Sequence, residues 1–248
     1  MKKVTLIIIT CLLISSQLMA QSYFPANQWR TATPESQGGN SKLLAKGIRE
    51  IEKNYSGQIN SVTVVTNGYM VLDAYVPPFD ANTLHDLASV TKSFTSTLIG
   101  IAIKQGLIKD VNQKVISFFP DRKIKNPHLW KNEMTIEHLL TMRSGQKVIV
   151  ENGEVTLFQM MSSPDWLQFM LDLPMETKPG TKFIYNSGGV YLLTAIIQKV
   201  SGMSALEFAK KHLFKPLNIQ QIGWPSDPQR LTNYGWGSLK IRPQDLAK

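Results

Sequence analysis

The chain has 248 residues, 43% of them hydrophobic, with a formal net charge of +9 and one cysteine. That is enough chain for a single domain with a sizeable core, and no internal repeat or low-complexity tract divides it. Its basic residues are scattered, as at Lys123 and Lys125 or Lys210 and Lys211, without an arginine-rich run or aromatic–basic interleaving. This excludes an evident nucleic-acid partner and leaves at most a weak attraction to anionic polymers.

The N-terminus reads Met1-Lys2-Lys3, then an apolar run over residues 4–13, then Ser15-Ser16-Gln17-Leu18-Met19-Ala20. A short basic segment, an apolar core too short to span a bilayer and a small residue at its end predict a secretory signal peptide over 1–20. Cleavage after Ala20 leaves residues 21–248 as the domain. The alternative is an uncleaved N-terminal anchor. Cys11 sits inside the apolar run, so disulfides and thiol catalysis are not expected in the mature chain. The expected location is periplasmic or extracellular, of bacterial type, with no stable membrane insertion after cleavage.

Residues 31–40 form a polar lead-in with Pro34, Gly38 and Gly39. Residues 41–54 predict an amphipathic helix with Leu43, Leu44, Ile48 and Ile51 on one face. The β-rich runs 59–66 and 69–76 flank Asn67-Gly68, the strongest short hairpin signal. From there on the pattern is helical, over 89–105, 115–119, 135–142, 163–172, 189–201 and 204–213, with no further strand expected. Two strands followed by a long helical stretch predict a lopsided α+β domain.

Ser89-Val90-Thr91-Lys92 opens the helix over 89–105. Residues three apart share a helical face, so Lys92 Nζ can reach the Ser89 hydroxyl and take its proton if burial holds the amine neutral. Phe94, Thr97, Leu98, Ile101 and Ala102 mark one apolar face, and Ile99 and Ile103 extend it, which predicts a helix buried nearly all round. Gly106 stops it. Serine at such an N-terminus also faces free N–H groups and the positive end of the helix dipole. The plainer alternative is an N-cap serine followed by a solvated lysine. A second copy of the spacing, Ser144-Gly145-Gln146-Lys147, lies at the opposite end of a helix, after residues 135–142, where it reads as a stop.

Pro179-Gly180 and Gly188-Gly189 bracket a short rigid segment that carries Tyr185. Such a tyrosine is usually a packed aromatic with its hydroxyl bonded. Beside a serine–lysine pair it can instead relay the serine proton to a leaving group, provided a cation lowers its pKa.

The stretches L-A-S-V-T-K-S-F around Ser89, G-L-I-K-D-V-N-Q-K-V from Gly106 and T-I-E-H-L-L-T-M-R-S-G from Thr135 follow one another in order. K-P-G-T-K-F-I-Y-N-S-G-G-V-Y-L-L from Lys178 and R-P-Q-D-L-A-K from Arg242 continue the series to the end of the chain. Together they resemble the serine hydrolases of the β-lactamase/penicillin-binding superfamily. The similar branch is that of class C β-lactamases, D-alanyl-D-alanine carboxypeptidases, family VIII esterases and aminohexanoate-dimer hydrolases. The resemblance implies a β-lactamase/transpeptidase-like α+β fold, a helical region on an antiparallel sheet whose C-terminal strands are missing from this sequence. It implies Ser89 as acylated nucleophile, Lys92 as its base and Tyr185 as proton relay, with Asn186 and Ser187 as substrate-binding residues and no cofactor or metal.

Two departures shape the expected activity. The family's second motif is Tyr-x-Asn, whereas Ser187 stands two residues after Tyr185; a hydroxyl offers fewer bonds to a substrate amide than an asparagine does. This weakens a β-lactamase or carboxypeptidase reading and favours the ester and small-amide hydrolases, within an expected partner class of small-molecule ester, amide or peptide. The third family motif, Lys-Thr-Gly or similar, is expected on a strand beyond Lys248. Its loss would remove one oxyanion donor, typically worth ~10²–10³ in rate. The alternatives are therefore a β-lactamase or D-alanyl-D-alanine carboxypeptidase, and a non-catalytic cell-wall-binding or relic fragment. No G-x-S-x-G elbow is present, and His85, His128, His138 and His212 lack the paired spacing of a metal site.

Overall fold

The computed structural model describes residues 23–55 and 57–248, so the proposed leader lies outside the described residues. Helix α1 (Ser41–Asn54) starts where the Asn40 side chain accepts the Leu43 N–H at 3.0 Å. Strands β1 (Ser61–Thr66) and β2 (Tyr69–Tyr75) follow as an antiparallel hairpin. Asn67 and Gly68 both take positive φ, 50° and 74°, the geometry that a two-residue primed turn requires. One irregularity at Val64/Val65 shifts the pairing from Val64↔Leu72 to Val65↔Met70.

A second two-stranded ladder corrects the expectation that no strand follows the hairpin. Strand β3 (His85–Asp86) pairs antiparallel with β4 (Lys240–Ile241), His85 opposite Ile241. Two-residue strands carry no periodicity of their own, so only the tertiary fold reveals them. Helix α2 (Thr91–Lys104) is preceded by a 3₁₀ turn over Ala88–Val90, so the serine expected in the first helical turn lies just ahead of the α-helix.

Short helices α3 (Leu129–Glu133) and α4 (Ile136–Leu140) come next. They are followed by α5 (Glu151–Met161), α6 (Trp166–Asp172), α7 (Ser187–Ser201) and α8 (Ala205–Ala209). A π-helical segment, Lys210–Phe214, extends α8, and α9 (Pro243–Leu246) follows β4. Helix α5 was not expected from sequence: Gly153 and the β-branched Val155 and Thr156 lower its propensity, and packing against α6 and α7 supplies what propensity does not.

Helix α7 is the hub. Every residue from Ser187 to Ile197 is buried, as a helix apolar all round must be. It packs on α2, α4, α5, α6 and α8. Asn186 caps it, accepting the Gly189 N–H at 2.9 Å, and Gly202 closes it at φ 71°. Capping boxes at Thr135/His138 and Ser204/Glu207 set the starts of α4 and α8.

Two faces are less covered than their sequence predicts. In α2, Leu98, Ile99 and Ala102 are buried, but Ser93, Ser96, Thr97 and Gly100 are exposed. The helix is therefore covered on one side rather than all round, because its small and polar residues gather on the other. In α1 no residue is fully buried, and Leu43 is 67% exposed. No single helix among the described residues is long and apolar enough to cross a membrane.

Candidate active site

The turn that holds Ser89 is anchored from both sides. Asp86 Oδ1 accepts the Ala88 N–H at 2.7 Å, and Ala88 takes a left-handed φ of 41°, an unusual conformation for alanine that stores backbone strain next to Ser89. Ladder β3–β4 continues into this turn, with the Leu87 N–H donating to Leu239 O at 2.9 Å and the Leu239 N–H donating to Thr91 Oγ1 at 3.2 Å. The chain just before β4 thereby fixes the start of α2, and Ser89 is left exposed at its end.

Lys92 Nζ lies 3.0 Å from Ser89 Oγ. Its second bond runs to the main-chain oxygen of Trp236 at 2.8 Å. Ser89 Oγ lies 2.9 Å from the Tyr185 hydroxyl, and Lys92 Nζ sits 4.9 Å from the centre of the Tyr185 ring. Three residues spread over nearly a hundred positions thus meet through one oxygen. Burial alone pushes the Tyr185 phenol up, but the hydrogen bonds of Lys92 and Ser89 and the nearby Lys92 charge outweigh it. The phenol is held below the ordinary tyrosine value, despite an opposing push from Glu154.

The loop that carries Trp236 owes its position to close packing. A Cβ on Gly235 would stand 2.7 Å from Val190 O and 2.8 Å from Thr194 Cγ2, so only glycine lets this loop lie on α7. Thr95 Oγ1 then donates to Gly235 O at 2.8 Å, one turn beyond Lys92 on the same helix. Trp236 itself stacks on Tyr234 with ring centres 4.7 Å apart.

Asn186 and Ser187, expected to face substrate, are both committed to the protein interior. Asn186 is 6% exposed; its Oδ1 caps α7 and its Nδ2 reaches Ser144 Oγ at 3.4 Å and Gln146 Oε1 at 3.3 Å. Ser187 is 1% exposed, and its N–H and Oγ both donate to the carboxylate of Glu154, at 3.2 Å and 3.0 Å. The second spacing copy has separated: Ser144 is buried at 5% exposure while Lys147 is exposed. Ser144 serves the turn, accepting the Gln146 N–H at 3.3 Å.

Beside Tyr185 opens a cleft of about 690 Å³. Ile149, Val150 and Phe183 give it apolar walls and Lys147, Glu151 and Lys182 charged ones. Of the larger aromatics elsewhere in the chain, Trp166 is core at 2% exposure, and Tyr69 holds Arg30 over its ring at 3.9 Å. Phe158 is exposed and Trp130 partly buried, and neither lines this cleft.

Sequence reasoning missed four contributors. The Trp236 carbonyl is invisible because a main-chain oxygen has no letter, although the run Tyr234-Gly235-Trp236-Gly237 signals a close-packed loop. Thr91 and Thr95 read as ordinary helix residues. Glu154 carries no motif at all.

The profile of the Beta-lactamase family matches residues 48–247. A beta-lactamase of Escherichia coli (strain K12) is 31% identical over 160 residues, which are 64% of this chain and 40% of that protein. A penicillin-binding protein homologue from Pyrococcus abyssi, octameric in its solved structure, superposes with a TM-score of 0.60 at 23% identity, covering 83% of this chain and 54% of that one. A beta-lactamase/D-alanine carboxypeptidase from Pseudomonas syringae gives 0.61 at 19% identity, covering 83% and 62%. These two likenesses establish the fold. The chain spans between 40% and 49% of the length of the first curated relatives it matches. Since the match to the profile spans most of the chain, from before the Ser89 turn to beyond the Trp236 loop, the chain belongs to the Beta-lactamase family of hydrolases.

Proposed function

We propose that this chain carries the acylation site of a serine hydrolase that acts through an acyl-enzyme on a small ester or amide. The observation that carries this reading is the shared contact at Ser89 Oγ, with Lys92 Nζ at 3.0 Å and the Tyr185 hydroxyl at 2.9 Å.

Ser89 Oγ attacks the substrate carbonyl carbon and forms the Oγ–C bond while its proton passes to Lys92 Nζ. The Trp236 carbonyl keeps that nitrogen aimed at the serine. Tyr185 hands a proton to the leaving oxygen or nitrogen as its bond to carbon breaks, and takes one back from Lys92. Its depressed pKa suits this relay, because proton transfer in both directions is easiest when donor and acceptor are closely matched. Water then attacks the acyl carbon, its proton passing to Tyr185 as Tyr185 gives its own to Lys92, and Lys92 returns that proton to Ser89 Oγ as the ester bond opens.

Asn186 supports the site by capping the helix that follows Tyr185. Ser187, in place of the asparagine of the family pattern, has its hydroxyl engaged by Glu154. That engagement favours an ester or small-amide hydrolase over recognition of a β-lactam side-chain amide. The basic and apolar leader supports export, with cleavage after Ala20.

The test is covalent labelling. The full chain is treated with a fluorophosphonate probe and its adduct located by peptide mass spectrometry. One adduct on Ser89, absent in Ser89→Ala, is the expected result. A folded protein that stays unlabelled, or a label on Ser144, would overturn the reading.

A further inference from the structure

Lys104, Lys210, Lys211 and Lys215 gather at one end of the molecule, and none of them serves the acylation site. Lys104 ends α2, and the other three lie in and just after the π-helical segment that extends α8. Gln105 and His212 join these two segments through a side-chain hydrogen bond of 2.8 Å, which sets the end of α2 against the lysine run. The π register shapes that run. The Lys215 N–H donates to Lys210 O at 3.0 Å, a bond between residues five apart. So wide a turn brings residues five apart onto nearly the same face, whereas an α-helix would separate them by about 140°. Such segments are rare in helices and frequent at functional sites.

The charge gathered here is not answered from within the chain. All four lysines are exposed, and among the described residues none is in a salt bridge. Glu207, the carboxylate that feels Lys210, is occupied in the α8 capping box, where the Ser204 N–H and hydroxyl both donate to it at 2.8 Å. Leu107, 37% exposed, stands just past Lys104, beyond the turn that Gly106 makes at φ 73°. An exposed leucine has no meaning singly, but beside a cluster of cations it completes the make-up of a lipid-facing surface, apolar contact together with basic charge. Because the lysines come from two segments and all stand at the surface, a small anion would engage one or two of them. An extended anionic sheet engages all of them at once.

We propose that this end of the molecule, formed by the close of α2, Leu107 and the π-helical segment, docks on an anionic phospholipid surface. Leu107 seats among the headgroups and the lysines face their phosphates. The contact is peripheral and independent of the chemistry at Ser89. Each lysine held near such a surface adds roughly fivefold to the affinity.

The full chain is tested by vesicle flotation, with vesicles of phosphatidylcholine alone and of equal parts phosphatidylcholine and phosphatidylglycerol. The parent is expected to bind the anionic vesicles at least tenfold more tightly. The triple variant Lys210→Gln, Lys211→Gln, Lys215→Gln is expected to lose at least tenfold of that affinity with an unchanged thermal transition. A control, Lys42→Gln with Lys46→Gln and Lys53→Gln, removes the same charge from exposed positions of α1 and should keep the binding. Any affinity contributed by the leader is common to all these proteins and cancels in the comparison. A parent that binds both vesicles alike overturns the inference without needing any variant to fold. Equal loss in the two triple variants also overturns it, since net charge would then explain the binding. Leu107→Ser should weaken binding to the anionic vesicles but not to soluble polyphosphate. Unchanged vesicle binding in that variant, or release of the parent by millimolar inorganic phosphate at constant ionic strength, would replace the lipid surface with a soluble anion and overturn the proposal.

Discussion

Lys92 and Trp236 are joined by a hydrogen bond of 2.8 Å from the lysine Nζ to the tryptophan main-chain oxygen, across 144 positions of sequence. A lysine side chain has four rotatable bonds, and a contact to Ser89 alone would leave the nitrogen free to swing away. The Trp236 carbonyl supplies a second fixed point on a loop that is itself pinned to α7 and to Thr95. The predictions below follow from that arrangement and from the packing around it.

The two serine–lysine spacings are expected to behave differently. Ser89→Ala should abolish hydrolysis of a p-nitrophenyl ester, whereas Ser144→Ala should stay within a few-fold of the parent. The Ser144 hydroxyl is a buried structural bond, so its loss should appear as roughly 1 kcal/mol of stability in denaturant unfolding. Equal loss of activity in both variants would count against Ser89 as the nucleophile.

Lys92→Arg is expected to be as inactive as Lys92→Ala, each losing about 10²–10⁴-fold in acylation rate. Arginine keeps the positive charge but does not deprotonate in proteins, so it cannot accept the serine proton. Stopped-flow acylation with a chromogenic ester checks this. Substantial rates in the arginine variant would move the base role to Tyr185.

Gly235→Ala should lower activity although Gly235 touches no reacting group. Its new Cβ would meet the Val190 carbonyl at 2.7 Å, so the loop has to lift from α7 and carry the Trp236 carbonyl away from Lys92. The expected signature is a fall in acylation rate with fluorophosphonate labelling still confined to Ser89, alongside a change in tryptophan fluorescence from the Tyr234–Trp236 stack. Unchanged kinetics in a folded variant would show that the Trp236 bond does not matter.

His138 should make the fold acid-sensitive. Burial pushes its pKa below the ordinary 6.5, and its Nδ1 accepts the Thr135 N–H at 3.2 Å in the cap of α4. The unfolded chain therefore binds the proton more readily than the folded one, so stability falls as pH drops from about 6.5 toward the depressed folded value. His138→Gln, which can still accept that bond but does not titrate, should flatten this slope. Denaturant midpoints measured between pH 7 and pH 5 decide the matter, and an identical slope in both proteins would assign the acid sensitivity elsewhere.

The sequence alone determined what depends on neighbours along the chain. Asn67-Gly68 specifies its hairpin because few other pairs adopt two positive φ values in succession. Residues 41–54 form a helix within the predicted bounds because the Asn40 cap and the apolar spacing agree. The distinction between Ser89 and Ser144 followed from which end of a helix each occupies, and the order of the motifs along the chain was enough to suggest the family. The tertiary structure decided what depends on contacts between distant segments. It made ladder β3–β4, whose two-residue strands have no pattern of their own, and it set Ser89 in a 3₁₀ turn ahead of α2. It turned Asn186 and Ser187 inward, because a helix hub buried on every side draws the polar groups at its start into bonds with Gln146 and Glu154. It also brought a main-chain oxygen and a glutamate without any motif to the side of Tyr185 and Lys92, since close packing recruits atoms by position, whatever residue carries them.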